Sequence, residues 1–270
     1  MSVWTRVAFV VAAAFLGVVA LMAMAPALLA SGDPVLTDVR SALLPPSSEH
    51  WFGTDQSGRD VFTRVVYGAR LSIGVGVIAV VVALVLGLIA GTALGSAPRR
   101  VDAVAMRGVD LLLALPEFLI ALLVIAMLGP GHLNVAIAVT IAILPIYIRL
   151  ARAHTRTTLA AEHVSAAFLL GLPRPVVLLR HVVPSVLGAL SVLATIGVGT
   201  SMLAAAGLGF LGLGPAEPTP EWGLMLSGGR NVLVQAWWIA LFPGLAIMLT
   251  VLATAVVGRT LRARAEGRTL

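Results

Sequence analysis

Long apolar stretches constrain this chain more than any other feature of its 270 residues. A helix needs roughly 20 mainly apolar residues to cross a bilayer. Six stretches meet that requirement: residues 7–29, 71–95, 108–128, 134–153, 185–208 and 232–258. Only 11% of the residues are charged, which is too few to cover a soluble domain. The sequence therefore predicts an all-α integral membrane protein with six transmembrane helices.

The first apolar stretch has two interpretations. Arg6 followed by an apolar run is typical of a cleaved signal peptide. The run is longer than a usual signal core, however, and Pro26 directly follows the small-x-small triplet at residues 23–25. These two features favour an uncleaved transmembrane anchor, with cleavage as the alternative.

The distribution of arginine predicts the orientation in the membrane. All 18 basic residues are Arg, and cytoplasmic loops of membrane proteins are enriched in positive charge. With the N-terminus inside, the cytoplasmic pieces hold Arg6, Arg99, Arg100, Arg107, Arg149, Arg152, Arg156, Arg174, Arg180, Arg259, Arg262, Arg264 and Arg268. The outer pieces hold only Arg40, Arg59, Arg64, Arg70 and Arg230. We therefore expect both termini to be cytoplasmic.

The spans and the polar segments between them divide the chain into regions. We expect an N-terminal transmembrane helix in residues 1–30, an extracytoplasmic segment in 31–70, a five-helix core in 71–258 and a cytoplasmic tail in 259–270. The core contains a cytoplasmic loop, 154–184, and an outer loop, 209–231, whose three prolines preclude one continuous helix.

The extracytoplasmic segment 31–70 ends in a helical pattern. Val61, Phe62 and Val65 recur at helical spacing, and Thr54 or Asp55 can cap the helix. We expect this helix to lie along the outer membrane interface, with its apolar side in the acyl boundary.

Two residue types are missing from the sequence, which excludes several kinds of site. Without Lys there is no G-x-x-x-x-G-K-[ST] phosphate loop, and without Cys there is no disulfide, thiolate nucleophile or Cys-based zinc site. Residues 207–212 match G-x-G-x-x-G, but no strand precedes them and Pro215 follows. No catalytic triad, metal motif or nucleic-acid stripe is present. We expect no catalytic residue, no metal and no cofactor bound by this chain.

A few residues stand out within the apolar stretches. Gly87, Gly91 and Gly95 repeat the G-x-x-x-G pattern, which indicates close helix packing. Glu117 is either a functional group at membrane depth or, if Pro116 ends a cytoplasmic helix, a residue that lies near the interface or faces a wet cavity. The weaker candidates for a transport pathway are hydroxyl residues, with helix packing as the alternative: Ser201, Thr200 and Thr195.

The cytoplasmic loop predicts a short helix of small residues that Gly171 and Pro173 stop, followed by a second helical piece. Because residues 165–167 (S-A-A) have little bulk, another protein's groove could accept this helix, with Phe168 and Leu169 as apolar anchors. The alternative is a surface loop that folds back on its own spans.

Three motifs resemble those of one family. The pattern S-A-A-x-x-x-G at 165–171, with H-V-V-P at 181–184, resembles the EAA loop of permease subunits in binding-protein-dependent ABC importers. Residues 52–70 resemble the signature before the second span of the C-type subunit in dipeptide, oligopeptide and nickel importers. Residues 207–214 and 218–223 resemble the last outer loop of that subfamily. The motifs occur in the order of the family and on the expected sides of the six predicted spans, so the resemblance extends over nearly the whole chain.

The resemblance implies a type I ABC importer permease fold in the cytoplasmic (inner) membrane of a prokaryote. It implies three kinds of protein partner besides lipid, and no nucleic acid. These are a homologous B-type permease, two ATPase subunits or domains that bind ATP and Mg, and a substrate-binding protein outside. The residues expected to couple to the ATPase are Glu162, Ser165, Ala166, Ala167, Phe168, Gly171 and Arg174. Those expected to contact the binding protein are Asp55, Arg59, Asp60, Pro220, Glu221 and Trp222.

The sequence departs from the family pattern at two positions. Ser165 replaces an acidic residue that precedes the two alanines, and Ala205 replaces a frequent Glu near the end of the fifth span. We expect uptake of short peptides by alternating access, with nickel or another peptide-sized ligand as the alternative cargo. A secondary transporter or channel is the alternative class, and a membrane enzyme would need a polar site that the sequence lacks.

Overall fold

The computed structural model describes residues 3–265, so Arg268 and the rest of the predicted tail after residue 265 lie outside the described part. Residues 3–265 form ten α-helices: α1 (Val3–Met24), α2 (Val61–Ser96), α3 (Arg99–Leu113), α4 (Glu117–Leu128), α5 (His132–Leu159), α6 (Glu162–Leu169), α7 (Arg174–Val177), α8 (Val183–Phe210), α9 (Trp222–Arg230) and α10 (Trp238–Ala265). A π-helical turn, Leu178–Val182, joins α7 to α8.

Five helices are long and apolar enough to cross a membrane. They are α1, α2, α5, α10 and the continuous 37-residue helix that α7, the π-turn and α8 form together. If the bent pair α3 and α4 counts as one span, the described residues hold six. The number and position of the predicted apolar stretches therefore agree with the structure, apart from the continuity of the third.

The third predicted span is not one helix. α3 ends at Leu113, α4 begins at Glu117, and the two are bent by 92°. Pro116 lies at the break, where its missing N–H and bulky ring prevent a helix from continuing. The span predicted over 108–128 is therefore broken at Pro116, and the 12-residue α4 contains most of its apolar part.

The interfacial helix predicted at the end of segment 31–70 is also corrected. Its apolar residues belong to the first turns of α2, which runs unbroken from Val61 to Ser96. The cap is Asp60, whose carboxylate accepts the Thr63 N–H at 2.8 Å, and neither Thr54 nor Asp55 has this role. Val61 and Val65 are buried against Trp222 and other residues around α9, so this face packs on protein instead of lipid.

The core of the bundle lies between α2, α5 and α8. Gly87, Gly91 and Gly95 form a stripe on α2 that faces Tyr147, Ala151 and Thr155 of α5, and a methyl group at any of the three glycines would overlap these side chains. Because the glycines lack side chains, the two backbones approach closely, as the G-x-x-x-G spacing predicts. Buried Val139, Val186 and Leu190 extend this core to α8.

A second apolar cluster surrounds α9, where Trp222, Met225 and Ile239 pack with Val61 and Val65. It lies at the start of α2, whereas α6 lies near its end, where Arg174 contacts Ser96. We call these two ends of the bundle the α9 end and the α6 end.

Candidate docking site

The short helix α6 begins and ends at clear local signals. Glu162 in the first turn places a negative charge at the positive end of the helix dipole. Gly171 follows the helix with φ +82°, a conformation that favours glycine. The Gly171 N–H donates to the Phe168 carbonyl at 3.0 Å and the Leu172 N–H to the Ala167 carbonyl at 3.2 Å. This pair of bonds is a Schellman motif, so the predicted stop is present and fixes the end of α6.

One face of α6 anchors it to the bundle. Val164 and Ala167 are buried together with Val177 of α7, and Leu159 and Ala161 pack against them. Arg174, the first residue of α7, donates from Nη2 to the carbonyl of Ser96, the last residue of α2, at 2.7 Å. A guanidinium is favoured beside the free carbonyls of a helix C-terminus. α6 is therefore fixed to the end of α5 and to α7, and α7 is in turn fixed to the end of α2.

The other face of α6 is uncovered. Ser165 and Ala166 are exposed, and Phe168 is 39% exposed. Leu169 is 90% exposed and Leu170 83% exposed. Large apolar side chains that are almost wholly exposed at the tip of an anchored helix form a surface suited to another protein's groove. The sequence interpretation included Leu169 but missed Leu170, although its position directly before the Gly171 stop could have indicated it.

The residues predicted to contact a binding protein come together at the α9 end, but most of them are buried. Asp55 is 4% exposed and Arg59 5% exposed. The Arg59 Nε donates to the Asp55 carboxylate at 2.6 Å, and Arg59 Nη2 lies 3.4 Å from the Glu217 carboxylate. Buried Arg64 donates from Nη1 to the carbonyls of Pro34 at 2.9 Å and Pro218 at 3.0 Å. This polar cluster of Asp55, Arg59 and Arg64 fastens the loop before α2 and the loop after α8 to the start of α2.

Glu221 and Trp222 are likewise internal. The Glu221 carboxylate caps α9 by accepting the N–H groups of Gly223 at 2.8 Å and Leu224 at 2.7 Å, and it accepts the Ser72 hydroxyl at 3.1 Å. Burial raises the pKa of Glu221, while the bonds from Gly223, Leu224 and Ser72 oppose that rise. The fully buried Trp222 donates from its indole to the Val65 carbonyl at 2.8 Å.

The expectation that the outer motif residues contact a partner is therefore corrected for Asp55, Arg59, Glu221 and Trp222, whose side chains are enclosed by this chain. Asp60 caps α2 and accepts His50 Nδ1 at 2.8 Å, and Pro220 is half-buried. These residues were identified as a group from the sequence, but their role in the structure is to hold the fold.

The two polar residues singled out within the spans lie in different surroundings. Glu117 is the first residue of α4, directly after the break at Pro116, and is half-buried. Ser201 is fully buried in α8, and its hydroxyl has no hydrogen-bond partner among the described residues. The break at Pro116 agrees with the second interpretation given above, whereas the role of Glu117 stays a prediction.

A large groove opens at the α6 end between α5, α8 and α10. Its volume is about 790 Å³, and apolar residues form most of its walls. Its polar lining comes from Arg149, His154, Ser185 and Arg262. The groove is lined on one side by the end of α5, the helix that precedes α6 in the chain.

Comparisons with known proteins agree with this arrangement. Residues 61–267 match the family described as binding-protein-dependent transport system inner membrane component. The chain is 43% identical over 242 residues to the dipeptide transport system permease protein of Alkalihalophilus pseudofirmus, covering 90% of this chain and 80% of that protein. It is 41% identical to the di/tripeptide transport system permease protein of Pseudomonas aeruginosa (82% and 75% covered) and 43% identical to the glutathione transport system permease protein of Escherichia coli (80% and 72% covered).

Proposed function

Since the chain belongs to the family of inner membrane components of binding-protein-dependent transport systems, it is a multi-pass permease subunit of an ABC importer, and we propose that it takes up short peptides. The permeases of A. pseudofirmus, P. aeruginosa and E. coli named above are described for dipeptides, di/tripeptides and glutathione. Their agreement in cargo class supports peptides over nickel.

The proposed mechanism uses α6 as the docking helix for the ATPase. The observation that carries this proposal is the contrast between its buried anchor, Val164 and Ala167, and its exposed tip, Leu169 and Leu170. A groove on the ATPase covers that tip, so a movement of the ATPase is transmitted to α6. ATP and Mg bind to the ATPase, which hydrolyses the ATP, and this chain contributes no catalytic residue.

The α6 end faces the cytoplasm in this proposal, together with both termini. The excess of arginine at this side supports the assignment. A homologous B-type permease completes the channel, two ATPase subunits or domains dock below, and a binding protein delivers peptide at the α9 end. ATP-driven movement of α6 shifts the spans between inward-open and outward-open arrangements.

The absence of cysteine from the sequence provides a direct test. A single cysteine introduced by Leu169→Cys should crosslink to the ATPase in membranes that contain the whole complex. The control is Val234→Cys, because Val234 is 98% exposed but lies at the α9 end. A membrane-impermeant thiol reagent added outside whole cells should label Val234→Cys and leave Leu169→Cys unlabelled.

Two results would contradict the proposal. One is crosslinking of both cysteines, or of neither, to the ATPase. The other is uptake of a radiolabelled dipeptide by proteoliposomes that hold this chain without an ATPase, which would indicate a secondary transporter or channel.

A further inference from the structure

An ion-pair network at the α6 end joins α3 to the last turns of α5. The Asp102 carboxylate of α3 accepts Arg152 Nη2 and Arg156 Nη2, each at 2.6 Å, and it also contacts Arg152 Nε. Asp102 is 2% exposed. The carboxylate is covered mainly by the side chains of Arg152 and Arg156, which are 23% and 42% exposed, so both guanidinium groups hold it in place. Asp102 therefore fixes the geometry between these two helices.

α3 has little else to hold it. Its buried residues are Asp102, Met106 and Val109, a narrow stripe on one side of the helix. Val104 on another side is 71% exposed, and Leu111 is 72% exposed. Because the apolar attachment is confined to two side chains, the charged contact at Asp102 accounts for a large part of the attachment of α3 to the bundle.

The partners of Asp102 lie directly before the docking helix. Arg152 and Arg156 are one turn apart near the end of α5, and only residues 160 and 161 separate α5 from α6. At the other end of α3, the break at Pro116 turns the chain by 92° into α4, whose Ile120 and Ile125 are buried in the bundle core. A continuous path of contacts thus leads from the docking helix α6 through the end of α5 and the ion pairs to α3, and from α3 to the buried helix α4.

We propose that Asp102 is a positioning residue for transport: it makes α3 follow α5, so that a displacement of α6 reaches α4 through the bend at Pro116. This inference rests on the proposed docking of α6 to the ATPase. A carboxylate with two guanidinium partners resists separation of the helices, whereas a helix held by Met106, Val109 and solvent-exposed contacts can slide over α5.

The chain contains a matched control for this proposal. Asp110 on α3 also pairs with an arginine of α5, Arg149, but the side chains are 56% and 52% exposed. An exposed pair is solvated whether or not it forms and contributes little. Asp110→Asn removes the same kind of charge from the same helix and should leave coupling unchanged.

The test uses the complete complex, with the B-type permease, the ATPase and the binding protein, in proteoliposomes. Spin labels at Val104→Cys and Thr157→Cys report the distance between α3 and α5 with and without ADP and vanadate. We expect one narrow distance distribution, unchanged by trapping, in the parent protein and in Asp110→Asn. In Asp102→Asn, the distribution should broaden on trapping.

Coupling is measured in the same preparations as the stimulation of ATP hydrolysis by the binding protein. The complex with Asp102→Asn should keep its basal ATP hydrolysis and its α6–ATPase crosslink. The stimulation of hydrolysis by the binding protein should fall about fivefold or more in this variant, and Asp102→Glu should keep the stimulation of the parent protein. Wild-type distances and stimulation in Asp102→Asn would overturn the proposal. Loss of the α6–ATPase crosslink in the parent complex would instead contradict the proposed docking.

If Asp102→Asn fails to assemble, Arg152→Gln and Arg156→Gln each keep one guanidinium on the carboxylate. We expect partial loss of stimulation in both, with the larger loss in Arg152→Gln, because Arg152 approaches the carboxylate with two nitrogens. Stimulation at the parent level in both arginine variants would overturn the proposal as well.

Discussion

The two ends of the bundle reverse the usual distribution of residue types. At the α9 end, Asp55, Arg59 and Arg64 are charged and nearly completely buried, whereas at the α6 end Leu169 and Leu170 are apolar and almost wholly exposed. Charged residues are almost never buried unless they are paired, and large exposed apolar groups mark contact surfaces. The first arrangement fastens this chain to itself, and the second leaves a surface for a partner.

The buried charges at the α9 end have a structural reason. Segments 31–60 and 211–221 contain little regular secondary structure, and no backbone hydrogen bond is seen between the two segments in the described residues. Arg64 on α2 supplies donors to a carbonyl in each segment, at Pro34 and Pro218, and the Asp55 carboxylate lies 3.6 Å from its Nε. A single side chain thereby holds two loops that are far apart in sequence.

The largest effect is expected where this fastening is broken. Asp55→Ala leaves the guanidinium groups of Arg59 and Arg64 buried without their shared carboxylate, which should destabilise the protein by about 3–5 kcal/mol. Thermal unfolding of the purified complex measures the change, and Glu49→Ala, an exposed carboxylate of the same segment, serves as the control. A variant with unchanged thermal stability but lost binding-protein contact would mean that the cluster is a docking site after all.

The next effect should separate function from stability. Leu169→Asp places a charge in the proposed ATPase groove, where it is desolvated without a partner, so peptide uptake should fall at least tenfold, or about 1.4 kcal/mol in coupling. Stability should not change, since Leu169 is 90% exposed. Leu36→Asp is the control, because Leu36 is 68% exposed at the other end. Equal uptake in the two variants would remove the contrast between the ends.

Much of this architecture could be predicted from the sequence because local signals determine it. Apolar length located the spans, the spacing of Gly87, Gly91 and Gly95 indicated a packed face, and Gly171 with Pro173 predicted where α6 stops. Each of these signals acts within a few residues of the chain. The sharp bend within the third span could not be predicted, because total hydropathy is insensitive to a change of helix direction at Pro116.

Burial at the α9 end could not be predicted in this way. Whether Glu221 faces solvent or protein depends on Ser72, a residue 149 positions earlier, and Arg64 is enclosed by a loop 154 positions later. Nothing in the local pattern of either segment reports such a contact. The role of Asp102 could not be predicted for the same reason. In the sequence it is an ordinary charged residue of an amphipathic helix, and only the structure places Arg152 and Arg156 beside it.

A matched pair of glycines offers a finer comparison of the ends. Gly171 after α6 has φ +82° and Gly212 after α8 has φ +79°, and a methyl group added at either position would meet no atom within 4 Å. Alanine at either position should cost about 1 kcal/mol from the left-handed backbone alone. Uptake should fall severalfold only in Gly171→Ala, because fraying at that position misplaces Leu169 and Leu170. Uptake assays and thermal unfolding of both variants measure this difference. A similar loss of uptake in Gly212→Ala would contradict the proposed role of the end of α6.

The smallest effect concerns an exposed member of the α9-end ion pairs. Glu217 is 58% exposed and lies 3.4 Å from Arg59, whose closer partner is Asp55 at 2.6 Å. Glu217→Gln should therefore lower stability by less than about 1 kcal/mol, and high salt should reduce even that difference. Thermal unfolding at low and high ionic strength measures both quantities. A loss of stability as large as that of Asp55→Ala would contradict this, because it would show that Arg59 depends on a solvent-accessible charge. An acidic partner could then bind at the α9 end, just as an apolar partner is proposed to bind at α6.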